Sequence, residues 1–200
     1  MRLLVRLGGI LVLCAVLAGC GLGFPIPLPT NIVPAPSAPR SSASPSEEPD
    51  PLDATDALDV SSHEVNAFTS PSGQIICMVS VDGARCDLPT GFSGAVPSTE
   101  DECPGSTLPP SALVVTDDSG WICADDVVAA PEPNLPSTRW WQHTGFPTVT
   151  QAGRTRVTLP VGKKLIAGDF LCLSRPGDIT CGNIAVGAGF TVSREGVELF

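Results

Sequence analysis

The chain has 200 residues, 42% of them hydrophobic, and a formal net charge of −10. That acidity argues against nucleic acid, heparin-like polyanions or an anionic membrane surface as a direct partner. The length suits one ordinary core beside a targeting or linker segment, and the absence of tyrosine argues against a broad tyrosine-rich recognition surface.

Residues 1–19 read as a secretory signal. Arg2 and Arg6 form a basic head, an apolar run extends from Leu7 to Leu17, and small residues lead into Cys20. The run is too short to span a bilayer. Leu17-Ala18-Gly19-Cys20 resembles the bacterial lipobox, in which cleavage before the cysteine leaves a thiol carrying diacylglycerol. The expectation is a lipoprotein tied to the extracytoplasmic face of the cell membrane through acyl chains such as palmitate on Cys20. Cys14 leaves with the signal. Loss of Arg2 and Arg6 takes the mature charge to −12, two below the −10 of the whole sequence.

Residues 20–60 lack the means to build a core. From Gly21 onward they carry nine prolines, a Ser/Ala/Pro stretch from Pro36 to Pro45, and the acidic patch Glu47-Glu48-Pro49-Asp50. Such a composition predicts a disordered, semi-extended tether. At ~3.1 Å per residue of polyproline geometry it would reach on the order of 100 Å. A spacer lifting the domain through the envelope and a plain linker both fit it.

Residues 61–200 change texture to short apolar runs broken by turns. Gln74–Val81 with Ala84–Leu88 predicts one hairpin, and Ala112–Thr116 with Trp121–Ala124 a second, turning at Asp117-Asp118-Ser119-Gly120. Thr155–Leu159 is a further strand. Asp169–Ser174 pairs with Asp178–Ile184, and Phe190–Ser193 with Val197–Phe200 closes the chain. Strands of this length and spacing predict an all-β domain, a small disulfide-stabilised sandwich or barrel of antiparallel hairpins. The weak helical pattern of Asp56–Asn66 stands apart from it.

Six cysteines fall within this domain: Cys77, Cys86, Cys103, Cys123, Cys172 and Cys181. An even number in an exported domain reads as a disulfide framework, although six cysteines leave many connectivities open. A two-residue turn at Pro176-Gly177 would set Cys172 opposite Cys181. A turn at Asp82-Gly83 would pair Cys86 with Val79, so a Cys77–Cys86 bridge needs a bulge or a shifted turn. Cys103 and Cys123 remain for each other. The competing reading, a zinc site built from two C-x8-C units, has ligand gaps too wide for a structural zinc site. Ile76-Cys77-Met78 … Asp82-Gly83 … Cys86 and Leu171-Cys172-Leu173 … Pro176-Gly177 … Cys181 echo one another as two copies of one hairpin.

The run Phe68-Thr69-Ser70-Pro71-Ser72-Gly73-Gln74-Ile75-Ile76-Cys77, followed by Cys86, Cys172, Cys181 and Gly187-Ala188-Gly189-Phe190-Thr191-Val192-Ser193-Arg194, resembles a family of small exported actinobacterial proteins and lipoproteins. Members share a cysteine-paired domain of unknown function. The resemblance spans residues 61–200 and implies secretion and a disulfide-bonded domain, without an activity. This chain has Gln74 where members more often have Asn, and Ala188 where they have His.

Catalytic chemistry has thin support. A nucleophile needs a neighbouring base, and only His63 and His143 offer imidazoles. No G-x-S-x-G elbow occurs, and the cysteines are assigned to bridges. Two histidines without ligand spacing make a poor metal site, so neither metal nor other cofactor is expected. Asp117-Asp118, Asp125-Asp126 and Glu100-Asp101-Glu102 are the carboxylate groups a glycoside hydrolase would draw on, yet acids in such contexts are usually solvated turns. The binding candidate is Arg139-Trp140-Trp141-Gln142-His143. On a strand the two indoles would face opposite sides, and the outward one, flanked by Arg139 and His143, would stack on a sugar or a partner side chain. Alternatively both rings fill the core. The function expected is a lipid-anchored envelope binding or structural module with a protein or glycan partner, the alternative being an envelope hydrolase of glycoside type.

Overall fold

The computed structural model describes residues 50–200. The expected signal, Cys20 and the part of the expected tether up to residue 49 lie outside the described residues.

Two antiparallel sheets pack face to face as a sandwich, and neither closes into a barrel. The first is a meander of β2 (Asn66–Thr69), β3 (Ile76–Ser80), β4 (Gly83–Asp87), β5 (Ala112–Val115) and β6 (Ser119–Ile122). The second runs β9 (Lys164–Ala167), β10 (Phe170–Ser174), β11 (Asp178–Asn183), β12 (Ala188–Ser193) and β13 (Val197–Leu199). A separate hairpin joins β7 (Thr148–Gln151) to β8 (Arg154–Val157). Strand alternation fills the interior: Cys77 and Val79 on β3 point inward, while Met78 between them is half-buried on the other face. Phe68, Leu113, Leu165 and Phe190 complete a core drawn from both sheets.

β1 (Leu58–Asp59) runs parallel to β9, and Val60 donates its N–H to the Ile166 carbonyl at 2.8 Å. The folded domain thus takes in residues on the tether side of Ser61, and the helical pattern over Asp56–Asn66 resolves into β1, a turn and the start of β2. The turn after β1 has a local cause, since Asp59 accepts from the Ser61 N–H and hydroxyl, while Asp56, with a positive φ of 61°, belongs to a separate turn that precedes β1. The second half of the chain repeats the arrangement. Leu159 donates to the Thr69 carbonyl at 3.0 Å, beside a parallel bridge between Thr69 and Thr158. Each meander therefore has its first strand flanked by a segment from the other half.

Disulfides join Cys77 to Cys86, Cys103 to Cys123 and Cys172 to Cys181. Gly177, with φ 95°, occupies the second centre of the β10–β11 turn and sets Cys172 opposite Cys181. In the β3–β4 hairpin the turn is shifted one residue from the Asp82-Gly83 expectation. Ser80 pairs with Gly83 around Val81-Asp82, so Cys77 lies directly opposite Cys86. The Ser80 hydroxyl makes that shift, accepting from the Asp82 N–H and donating to the Gly83 carbonyl, each at 3.3 Å. Gly83 sits in the strand, where a Cβ would stand 2.8 Å from the Val115 carbonyl oxygen. The third bridge lies outside the core and ties the end of α1 (Thr99–Glu102) to the strand end at β6.

Candidate functional site

The binding candidate around Trp140 is a 3-10 helix, Pro136–His143, and not a strand. Pro136 at its start needs no intrahelical donor. The fully buried Thr138 hydroxyl lies 2.8 Å from both the Glu132 and Leu135 carbonyls and pins the first turn. Thr144 ends it, with its N–H and hydroxyl both turned back on the Trp141 carbonyl.

This geometry separates the side chains the sequence groups together. Trp140 is 3% exposed; its indole N–H donates to the Ala67 carbonyl at 3.1 Å and its ring meets Phe146 edge-on. Trp141 is half-buried and donates to the Phe146 carbonyl at 2.9 Å. Both indoles are thus tied to the domain, and Arg139, Gln142 and His143 are the exposed members of the set. Trp121 packs edge-on against Phe92 with ring centres 5.0 Å apart.

Clefts open at both ends of the 3-10 helix. At the start, a cleft of about 560 Å³ gathers Ser62, His63, Glu64, Ser137 and Arg139 over apolar walls that include Leu135. It falls in the size range of small-molecule sites and mixes a cation, a carboxylate, an imidazole and two hydroxyls. At the far end, about 390 Å³ is lined by Asp56, His143, Phe146, Lys163 and Lys164. Lys164 is held by the carbonyls of Asp53 and Thr55 and by the Asp53 carboxylate at 3.5 Å. Hydrogen bonds from Thr55, with Lys164 adding to them, keep the Asp53 carboxyl below its ordinary range. His63, one of the two imidazoles the sequence offers, lines the first cleft, and Ser62 and Glu64 beside it are residues that sequence reasoning did not single out. They lie more than seventy positions before Arg139, and no local pattern links the two segments.

The acidic groups named from sequence lie elsewhere. Asp117-Asp118, Asp125-Asp126 and Glu100-Asp101-Glu102 are all exposed, with Asp126 paired to Arg85 and Asp101 accepting from Ser98. A different trio, Asp178, Glu195 and Glu198, lines a shallow cleft of about 390 Å³. Burial raises the Asp178 carboxyl above its ordinary value, against the pull of Arg175. The sulfurs of Cys77, Cys86 and Cys181 lie within 4.8 Å of one another, a metal-like cluster. They are the abutting parts of two disulfides and offer no thiolate. No helix among the described residues is long and apolar enough to cross a membrane. No family model matches the chain, and neither a curated protein nor a solved structure does.

Proposed function

We propose that the chain is a lipid-anchored envelope protein that acts as a binding module, related to the exported actinobacterial family it resembles. Its ligand cleft is the one between Ser62–Val65 and Leu135–Arg139. The observation that carries the site is the convergence of Arg139, His63, Glu64 and two serines on one concavity of about 560 Å³, positioned by the buried Thr138 and Trp140. Three disulfides support an oxidising, extracytoplasmic address. The anchor is Cys20, and the partner is an envelope glycan or protein. Cys20→Ala shifts the protein from the membrane fraction to the soluble one; unchanged partitioning rejects the anchor. A photo-crosslinker at Ser137 captures a partner from intact cells, and Arg139→Ala with unchanged melting reduces that capture at least tenfold. Equal capture by the variant rejects the cleft.

A second reading, glycoside hydrolysis, rests on Asp178. A carboxyl with a raised pKa beside Glu195 and Glu198 has the makings of an acid–base pair. Turnover of aryl glycosides that Asp178→Asn abolishes supports it, and no turnover by the parent protein ends it.

A further inference from the structure

The two core disulfides belong to opposite sheets, and they touch. The Cys86 Sγ on β4 lies 3.8 Å from the Cys181 Sγ on β11, and all four half-cystines are fully buried. The backbones of β4 and β11 approach to within 8 Å, a close approach for facing sheets, which usually stand about 10 Å apart. No large side chain separates the bridges. Any thiolate released at Cys86 or Cys181 therefore faces a sulfur of the other sheet's disulfide at van der Waals distance inside the buried core, with the Cys77 Sγ also within 4.8 Å.

We propose that this contact is a redox-sensitive switch, in which loss of either core disulfide moves the remaining one to join Cys86 with Cys181 across the two sheets. In the native protein an exported dithiol reductant starts the sequence when the core opens. It gives two electrons to the Cys77–Cys86 bond, leaves as its own disulfide, and yields thiols at Cys77 and Cys86. The Cys86 thiolate then attacks the Cys181 Sγ. The Cys86–Cys181 bond forms, the Cys172–Cys181 bond breaks, and Cys172 departs as a thiolate that takes up the proton Cys86 lost. This second step is an exchange without net oxidation. Reduction of the other bridge reaches the same product from the opposite side, with Cys181 attacking Cys86.

The product bond links positions 95 apart in sequence, whereas each native core bridge links positions 9 apart. A longer loop constrains the unfolded chain more in the chain-entropy model. The two-electron-reduced molecule thus exchanges a hairpin staple for a bond between the sheets, which no native core disulfide makes.

The test uses Cys77→Ser and Cys172→Ser, each made in the full chain, held at pH 8 and at pH 9, then alkylated and digested without reduction. The expected result is a Cys86–Cys181 cross-linked peptide in both variants. Alkylated Cys172 accompanies it in the first and alkylated Cys77 in the second, and the peptide forms faster at pH 9 because the thiolate is the nucleophile. Alkylation confined to Cys86 in the first variant and Cys181 in the second, with the other native bridge intact, overturns the proposal. If neither variant accumulates as folded protein, limiting dithiothreitol on the wild-type chain provides the same readout. Cys86–Cys181 among the two-electron-reduced molecules supports the switch, and its absence there overturns it.

Discussion

Asp87 is 1% exposed, and such a carboxylate is tolerable only if its oxygens are satisfied. Arg85 donates to both of them, from Nε at 3.1 Å and from a terminal nitrogen at 2.8 Å, while the Val128 N–H adds a longer bond at 3.3 Å. Burial opposes the charge on Arg85, but the hydrogen bonds and attraction of Asp87, joined by Asp126, outweigh it and hold the guanidinium above its ordinary range. Removing one partner of a buried pair costs far more than the pair contributes. Arg85→Ala is expected to lose about 3 kcal/mol in urea unfolding. Asp126→Ala, whose carboxylate is 73% exposed, loses under about 1 kcal/mol. Equal losses would contradict the buried-pair account. Asp178 makes the opposite case, since burial raises its folded-state pKa above the unfolded value. The folded chain then holds that proton more tightly, so stability is lost as pH rises from the unfolded pKa through the folded one, and the cost is gone only below the unfolded pKa. Asp178→Asn is expected to raise the urea midpoint at pH 7 and to lose that advantage in the acid range. Asp59, held below its ordinary 3.8 by hydrogen bonds from Ser61, contributes in the other sense, losing its stabilisation as pH falls. A midpoint for Asp178→Asn that is unchanged at pH 7 would refute the burial argument.

The 3-10 helix shows what one element can do with a single buried side chain. Trp140→Ala removes an indole that packs on the core and bonds to Ala67, and is expected to cost about 3–5 kcal/mol. His143→Ala, on the exposed end of the same element, should change stability by less than about 0.5 kcal/mol. Comparable melting losses in the two would mean that Trp140 does not anchor the segment. Four hairpins were legible in the sequence because turn chemistry stands beside short apolar runs, as at Pro176-Gly177, but β7 and β9 went unread, and β6 begins at Ser119, inside the turn expected over Asp117–Gly120. β2 was not legible either, because Asn66-Ala67-Phe68-Thr69 is buried on both faces and alternation vanishes there. Phe68 enters the main core, while Ala67 lies under Val128 in a second cluster on the other face. The strand reading of Arg139–His143 failed for a local reason. Pro136 and the hydroxyls of Thr138 and Thr144 are punctuation for a short helix, and adjacent tryptophans carry no period by themselves. The cleft was illegible because one wall is a 3-10 helix and the other a turn far away in sequence.

At the scale of the whole molecule, the echo between the two cysteine hairpins expands into two five-stranded meanders, each bridged between its second and third strands. Their mutual strand exchange, Val60 onto β9 and Leu159 onto β2, left no trace in the sequence, since parallel pairing across such distances has no local pattern. It predicts one cooperative unit. Leu159→Ala should cost about 2–5 kcal/mol although Leu159 belongs to no regular strand. Fluorescence of the tryptophans around the first meander and far-ultraviolet dichroism of both sheets should report the same midpoint. Separate midpoints would show that the halves melt independently. Synthesis runs from the N-terminus, so the first meander emerges with β2 as an open margin until Leu159 follows it. Val60 meanwhile waits for a strand not yet made. A growing chain therefore leaves the completed first meander with a sticky edge from Ile122 until Leu159 has followed, and a truncation anywhere between Ile122 and Thr158 would leave it open for good.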